Sequence, residues 1–225
     1  MTRLLFLACA LNALWVSGAA AQFPPANPVL NPDNGHYYQL VINRPQDRFF
    51  LPRPLLFEDA LSRAASTTHL GIAGHLVTIT SQAEQVFLEG VFESRFAQDW
   101  LWIGASDAAR EGEWRWVAGP EAGQLFWLGD EKGTALGFHS WGFGPGQEPN
   151  NDAYQDRLDP SENYAALRLP IRPNFGTAWN DVANPSTFNY APVGYLVEYS
   201  TIPEPAANVL IAMACLTGVY RARGR

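Results

Sequence analysis

One stretch constrains this chain more than any other: Gln147-Glu148-Pro149-Asn150-Asn151-Asp152, with its partner Trp179-Asn180-Asp181 further on and Ser161-Glu162-Asn163-Tyr164 between them. Carboxylates and carboxamides alternate here beside a proline and an aromatic. A carboxylate is a hard, charged oxygen ligand. A carboxamide adds a neutral carbonyl oxygen and keeps an NH2 donor free. The mixture suits Ca²⁺, which takes roughly 6–8 oxygens at about 2.3–2.6 Å. It suits zinc poorly, because no His or Cys lies nearby. It also leaves donors and acceptors for the hydroxyls of a ligand.

The motifs, in order, resemble a C-type lectin domain. That family carries a Glu-Pro-Asn loop followed by a Trp-Asn-Asp strand, and both stand here. Trp102-Ile103-Gly104, Trp114-Arg115-Trp116 with Gly119, Trp141, and Tyr195-Leu196-Val197-Glu198-Tyr199 also match, so the resemblance spans roughly residues 37–199. It implies an α+β, C-type lectin-like fold: two helices, antiparallel sheets and a long-loop region, with the first and last strands together. It implies a principal Ca²⁺ site of Glu148, Asn150, Glu162, Asn180 and Asp181, which also bind sugar, and a cis Glu148–Pro149 bond. The segment 150–162 is longer than in compact members, and Asp152, Asp156 and Asp159 are near enough to substitute for Glu162. Glu-Pro-Asn resembles the mannose-type arrangement; the galactose-type Gln-Pro-Asp is absent. Asp107 and Glu111 stand where some members have a second, auxiliary calcium site. Asn151 and Asn163 replace two of its acids, so weak occupancy or none is expected. Affinity for calcium should fall as the ligands protonate.

The two ends read as processing signals. Residues 1–21 carry Arg3, an apolar run and Ala19-Ala20-Ala21, the pattern of a secretory signal peptide. Residues 201–225 run Ile202-Pro203-Glu204-Pro205, then an apolar stretch over 206–220, then three arginines in Arg221-Ala222-Arg223-Gly224-Arg225. About fifteen apolar residues are short of the ~20 that a full span needs, and the arginines would stay cytoplasmic. The order resembles the PEP-CTERM sorting tail of Gram-negative bacteria. It implies exosortase as a partner during sorting and transient membrane contact through the tail. Residues 22–36 read as an extended N-terminal arm, and 37–200 as the domain. A secreted or cell-envelope location follows.

Both cysteines, Cys9 and Cys215, lie in those ends. The domain therefore has no disulfide, although its destination would permit one. Ala64, Tyr164 and Val197 stand where the resemblance expects cysteines, and are read as buried apolar replacements. The whole chain has net charge −7, with 15 Lys and Arg against 22 Asp and Glu. Four of the basic residues but only one acid lie in the ends, so the domain is more acidic still. That argues against nucleic acid.

Along the domain, residues 37–42 read as a strand and 55–66 as a helix, with apolar residues at helical spacing. Residues 75–79 read as a short strand. Ser81 and Glu84 form a capping box opening a second helix, with Ala83, Val86, Phe87 and Val91 as its apolar stripe. Residues 100–105 form a strand. Trp114 and Trp116 alternate in another and face one side. Residues 119–149, dense in Gly and aromatics, read as the long loop. Strands follow at 164–169, 178–182 and 194–200. The four histidines are scattered, and no Ser-His-Asp order is visible, so no enzyme is expected. The expectation is a calcium-dependent carbohydrate-binding module whose ligand is a glycan or exopolysaccharide. The alternative is a lectin-like fold used for protein interaction or extracellular-matrix structure without sugar.

Overall fold

The structure, a computed structural model, describes residues 27–43, 55–92, 100–142, 147–151, 161–168, 178–184 and 192–200. The expected signal peptide, the sorting tail with its 206–220 stretch, and Asp152, Asp156 and Asp159 lie outside them. Among the described residues no helix is long and apolar enough to cross a membrane.

The described chain runs β1 (Val29–Leu30), β2 (Tyr37–Ile42), α1 (Phe57–Ala65), β3 (Thr68–His69), β4 (Ile72–Ala73), β5 (His75–Leu76) and α2 (Gln82–Phe92). It continues with β6 (Trp100–Ser106), β7 (Glu113–Trp116), β8 (Leu125–Leu128), β9 (Thr134–Ala135), β10 (Tyr164–Arg168), β11 (Ala178–Val182) and β12 (Gly194–Tyr199). The main sheet follows β1-β2-β12-β6-β7-β8-β9, with β10 between β6 and β11, and β5 on β12. β12 pairs antiparallel with β2 from Tyr199↔Tyr37 to Gly194↔Ile42, so the first and last long strands close the domain as expected. β12 meets β6 in parallel.

β6 is buried along its whole length because both faces are covered. Leu101, Ile103 and Ala105 join a core with α2 and the rings of Trp114, Trp116, Phe126, Trp141 and Trp179. Trp100 and Trp102 join a second core with α1, Ala166, Val197 and Tyr199. Strand alternation thus divides one strand between two cores.

Three expectations are corrected. The arm contains β1, a short hairpin partner of β2. The connection runs over residues 31–36, closed by Asn31 N–H to His36 O at 2.8 Å and Gly35 N–H to Asn31 O at 2.9 Å, with Gly35 at φ +76; the prolines around it read as an extended arm instead. The long segment 119–149 contains β8 and β9. Gly129 has φ +109, and a Cβ there would meet the Gly133 Cα at 2.9 Å, so the glycines make a tight hairpin turn rather than an open loop. The apolar stripe of α2 holds only in part: Phe87 and Val91 pack against the core, whereas Ala83 is exposed. The helix's buried residues are Glu84, Gln85, Leu88 and Phe92, while Val86 is 53% exposed.

Two polar residues take that buried face because each finds partners there. Ser81 Oγ accepts Glu84 N–H at 3.2 Å, as a capping box requires. The return arm reaches one residue further back, Glu84 Oε2 accepting from Thr80 N–H at 2.9 Å. Glu84 Oε1 accepts from the Tyr38 hydroxyl at 2.7 Å. Nearby, His36 Nδ1 lies 2.7 Å from Glu198 Oε1, and Glu198 Oε2 accepts from Thr78 N–H at 3.1 Å. Burial, with the Glu198 charge adding, pushes Glu84 up to about 7. The hydrogen bond to Glu198 raises His36 above its usual 6.5.

Both groups hold their protons more tightly folded than unfolded. Their stabilisation is complete below the unfolded values and is lost as pH rises through the folded ones. The window runs from about pH 4.5 to 7 for Glu84 and continues above 6.5 for His36. The melting temperature of chelator-treated protein should therefore fall between pH 5 and pH 8. Glu84→Gln should flatten the part below pH 7. A melting temperature that rises with pH over this range contradicts the assignment.

The cysteine positions are filled in two ways. Ala64 and Val197 are fully buried in one core, as expected. Tyr164 is not: it is half-buried, packs against Phe57 with the rings tilted and 4.5 Å apart and donates its hydroxyl to Glu58 Oε1 at 3.1 Å. Asn184 donates to the other Glu58 oxygen at 2.6 Å, and its own carbonyl accepts Phe57 N–H at 3.1 Å. This polar clasp ties β10 and the end of β11 to the first turn of α1.

Candidate functional site

Strand alternation places the residues of β11. Trp179 is fully buried among aromatic rings, and Asp181, two residues on, is 1% exposed. Asn180 is half-buried, on the opposite face, in register with Ala166. The strand thus carries a carboxylate into the protein beside the aromatic floor.

The loop 147–151 is fastened to that carboxylate. Glu148–Pro149 is cis, as the resemblance implies. Asp181 Oδ2 accepts Asn150 N–H at 3.0 Å and Asn151 N–H at 2.7 Å. Asn151 adopts φ +51 there, a conformation Asn tolerates better than most residues. Glu148 N–H donates to Gly142 O at 3.0 Å, and the Glu148 side chain reaches the Asp181 carboxyl. Gln147 Nε2 donates to Glu131 O at 2.8 Å.

Asn151 does more than its sequence position suggested. Its Oδ1 accepts Glu162 N–H at 2.8 Å, and its Nδ2 donates to Glu111 Oε1 at 3.2 Å. It links both implied sites through one carboxamide. Its sequence signals were its place after Glu-Pro-Asn and its standing where the auxiliary site usually has an acid.

Asp107, 2% exposed, uses Oδ2 to accept Gly112 N–H at 2.9 Å. Its Oδ1 and the Asp181 Oδ1 are buried with no hydrogen-bond partner. Both side chains line one pocket of about 130 Å³ with Glu111, Trp114, Asp130, Asn150 and Asn151. Burial pushes Asp107 up to about 7, with the charges of Glu111 and Asp181 adding. Burial also raises Asp181, opposed by the donors of the 150–151 backbone. Two buried inward carboxylates, one raised by the charge of the other, are short of positive charge, and a dication would supply it. The donor set around the pocket is all oxygen, which fits calcium.

Glu148, Asn150 and Asp181 are therefore brought together, whereas Asn180 stands on the other face of β11 and outside the lining of this pocket. Glu162 reaches the group through its backbone, and Asp107 and Glu111 line the same pocket as Asp181. Among the described residues, no group of three or more His, Cys, Asp or Glu side chains is placed to hold a metal ion. Glu148, Glu162 and Asp181, the three acids of the implied set, are thus not gathered into such a group.

Residues 63–153 match the family model of the lectin C-type domain. Halomucin from Haloquadratum walsbyi is 38% identical over 173 residues, which are 77% of this chain and 2% of that protein. The chain thus spans a small fraction of that relative's length. C-type lectin lectoxin-Lio1 from Erythrolamprus poecilogyrus is 28% identical over 67% of this chain and 74% of its own. Among solved structures, the C-type lectin CEL-I from Cucumaria echinata covers 77% of this chain and 95% of its own, at 21% identity and a TM-score of 0.49. Two helices, a largely antiparallel sheet and a family match over residues 63–153 identify this as a C-type lectin-like fold.

Proposed function

We propose that this chain is a calcium-dependent carbohydrate-binding module of the mannose type, secreted or attached to the cell envelope. The observation that carries the reading is the pair of buried, unpartnered oxygens, Asp107 Oδ1 and Asp181 Oδ1, lining one oxygen-rich pocket. The family match and the name of the relative from Erythrolamprus poecilogyrus, a C-type lectin, support a glycan ligand. When bound, calcium would supply a Lewis-acid centre on which two neighbouring sugar hydroxyls coordinate. By the resemblance Glu148, Asn150, Glu162, Asn180 and Asp181 would hold it, Asn180 and the Glu162 side chain turning in to do so, and Asp107 with Glu111 would hold a weaker auxiliary ion.

The protein's own groups do the selecting. Each sugar hydroxyl donates its proton to a carboxylate, Glu148 or Glu162, and accepts from a carboxamide, Asn150 or Asn180. Every polar group is then paired, as a desolvated site requires. Asp181 keeps Oδ2 on the loop N–H groups, so the loop is already fastened before the ligand arrives. A shallow site of this kind binds single sugars weakly, and avidity comes from multivalency. The ligand class is a glycan or exopolysaccharide. Export and exosortase sorting would place the module there; mass spectrometry of extracellular protein retaining Arg225 would contradict that route.

A glycan array run with calcium and with chelator tests the reading. Binding of mannose-type glycans should appear with calcium and vanish with chelator. Binding that survives chelation rejects the calcium mechanism. Binding to no glycan moves the chain to a protein-interaction or matrix role.

A further inference from the structure

We propose that Gln85 is a positioning residue for the calcium and glycan site, acting through the indole of Trp179. This rests on the calcium-dependent reading above. Gln85 lies on α2, 94 residues from Trp179 in sequence, and is 1% exposed. Its Oε1 accepts the Trp179 Nε1–H at 3.0 Å in a fully buried setting. Its Nε2 donates to Glu89 Oε1 at 3.0 Å, one helical turn on, which fixes the amide orientation.

Trp179 in turn holds both halves of the site. Its successors in β11 are Asn180 and Asp181. Its backbone N–H donates to Ser140 O at 2.8 Å, and its carbonyl accepts Gly142 N–H at 3.0 Å. Gly142 O then accepts Glu148 N–H at 3.0 Å. One residue therefore joins the strand bearing Asp181 to the loop bearing Glu148. The rings of Trp116, Phe138 and Trp141 meet the indole edge-on at 5.8–5.9 Å. They wedge it sideways, while the Gln85 carbonyl anchors its nitrogen end. A buried N–H deprived of its acceptor costs the full desolvation penalty, so removing that oxygen should shift the indole and the strand with it.

The test compares full-length protein carrying Gln85→Leu, Leu88→Ala, or Gln85→Glu with Glu89→Gln. Gln85→Leu keeps the volume roughly and removes the acceptor. Leu88→Ala destabilises the same helix, where Leu88 is fully buried, without removing the acceptor. The double substitution reverses donor and acceptor between positions 85 and 89 and keeps an oxygen for the indole. Calcium affinity is measured by calorimetry, melting temperature alongside, and amide exchange at Asn150 and Asn151. Gln85→Leu should weaken calcium about tenfold, Leu88→Ala should leave it near wild type despite a lower melting temperature, and the double substitution should restore it. Unchanged affinity in Gln85→Leu, or an equal loss in Leu88→Ala, overturns the proposal. If wild type takes up no calcium, the functional reading fails and exchange decides the positioning role. Lost protection at Asn150 and Asn151 in Gln85→Leu alone upholds it; unchanged protection overturns it.

Discussion

Replacing Asp181 with alanine should abolish calcium uptake and glycan binding together. The side chain does two jobs with two oxygens. Oδ2 accepts from Asn150 and Asn151 N–H, and Oδ1 lines the pocket without a partner. Alanine removes both. The loop loses two charge-assisted hydrogen bonds, each contributing about 1.5–3 kcal/mol. Part of that is offset, because a buried charge that raises its own pKa also leaves. A net loss of about 2 kcal/mol in chelated protein lowers the melting temperature by roughly 4–8 °C for a domain of this size. The larger effect is the lost linkage. At calcium a hundredfold above its dissociation constant, wild type should gain about 2.7 kcal/mol from the ion. The variant should gain nothing. Thermal melts with and without calcium read both effects. A calcium-induced rise that persists in Asp181→Ala contradicts the role.

Trp116→Ala should unfold the domain or nearly so. Trp116 is 1% exposed, stacks on Phe126 at 4.6 Å and meets Trp179 edge-on at 5.8 Å. Truncating a buried Trp removes about 3–5 kcal/mol, and each aromatic pair adds about 0.5–1.5. In a domain without disulfides that approaches the whole stability of an ordinary protein, about 5–15 kcal/mol. Expression should fall and the near-ultraviolet circular dichroism should collapse. Trp116→Phe should retain a cooperative melt. A melting temperature within about 3 °C of wild type in Trp116→Ala contradicts the account of the core.

What was legible in the sequence follows from which signals are local. Strands 37–42 and 194–200 were marked by their apolar and aromatic residues, and Trp114 and Trp116 and the helix near 57–65 carry periodicity that burial then obeyed. The α2 face was read correctly at Phe87 and Val91 and wrongly at Ala83 and Val86, because apolarity was counted without partners. Glu84 and Gln85 are buried on account of Tyr38 and Trp179, which lie 46 and 94 residues away in sequence; Thr80, four residues before Glu84, adds a local bond that does not by itself mark a buried face. The hairpin of β8 and β9 was hidden because glycines signal a turn and an open loop alike; Gly129 against Gly133 distinguishes them only in three dimensions. At the site, Glu148, Asn150 and Asp181 were marked by order of motifs. The double bridging by Asn151 was not, since a carboxamide beside an acidic loop looks like an acid lost. Tyr164 likewise read as an apolar stand-in for cysteine, although its hydroxyl carries the contact with Glu58.

The central claim is that Asp181 joins loop and ion, and calorimetric titration of calcium into chelator-stripped wild type and Asp181→Asn tests it most directly. Asparagine keeps a carbonyl oxygen for the Asn150 and Asn151 N–H groups and removes the charge. Wild type should show saturable calcium uptake at or below millimolar concentration. Asp181→Asn should keep a wild-type near-ultraviolet spectrum and lose calcium affinity at least tenfold, a change of about 1.4 kcal/mol or more. No uptake by wild type, or wild-type affinity in Asp181→Asn, would contradict the account.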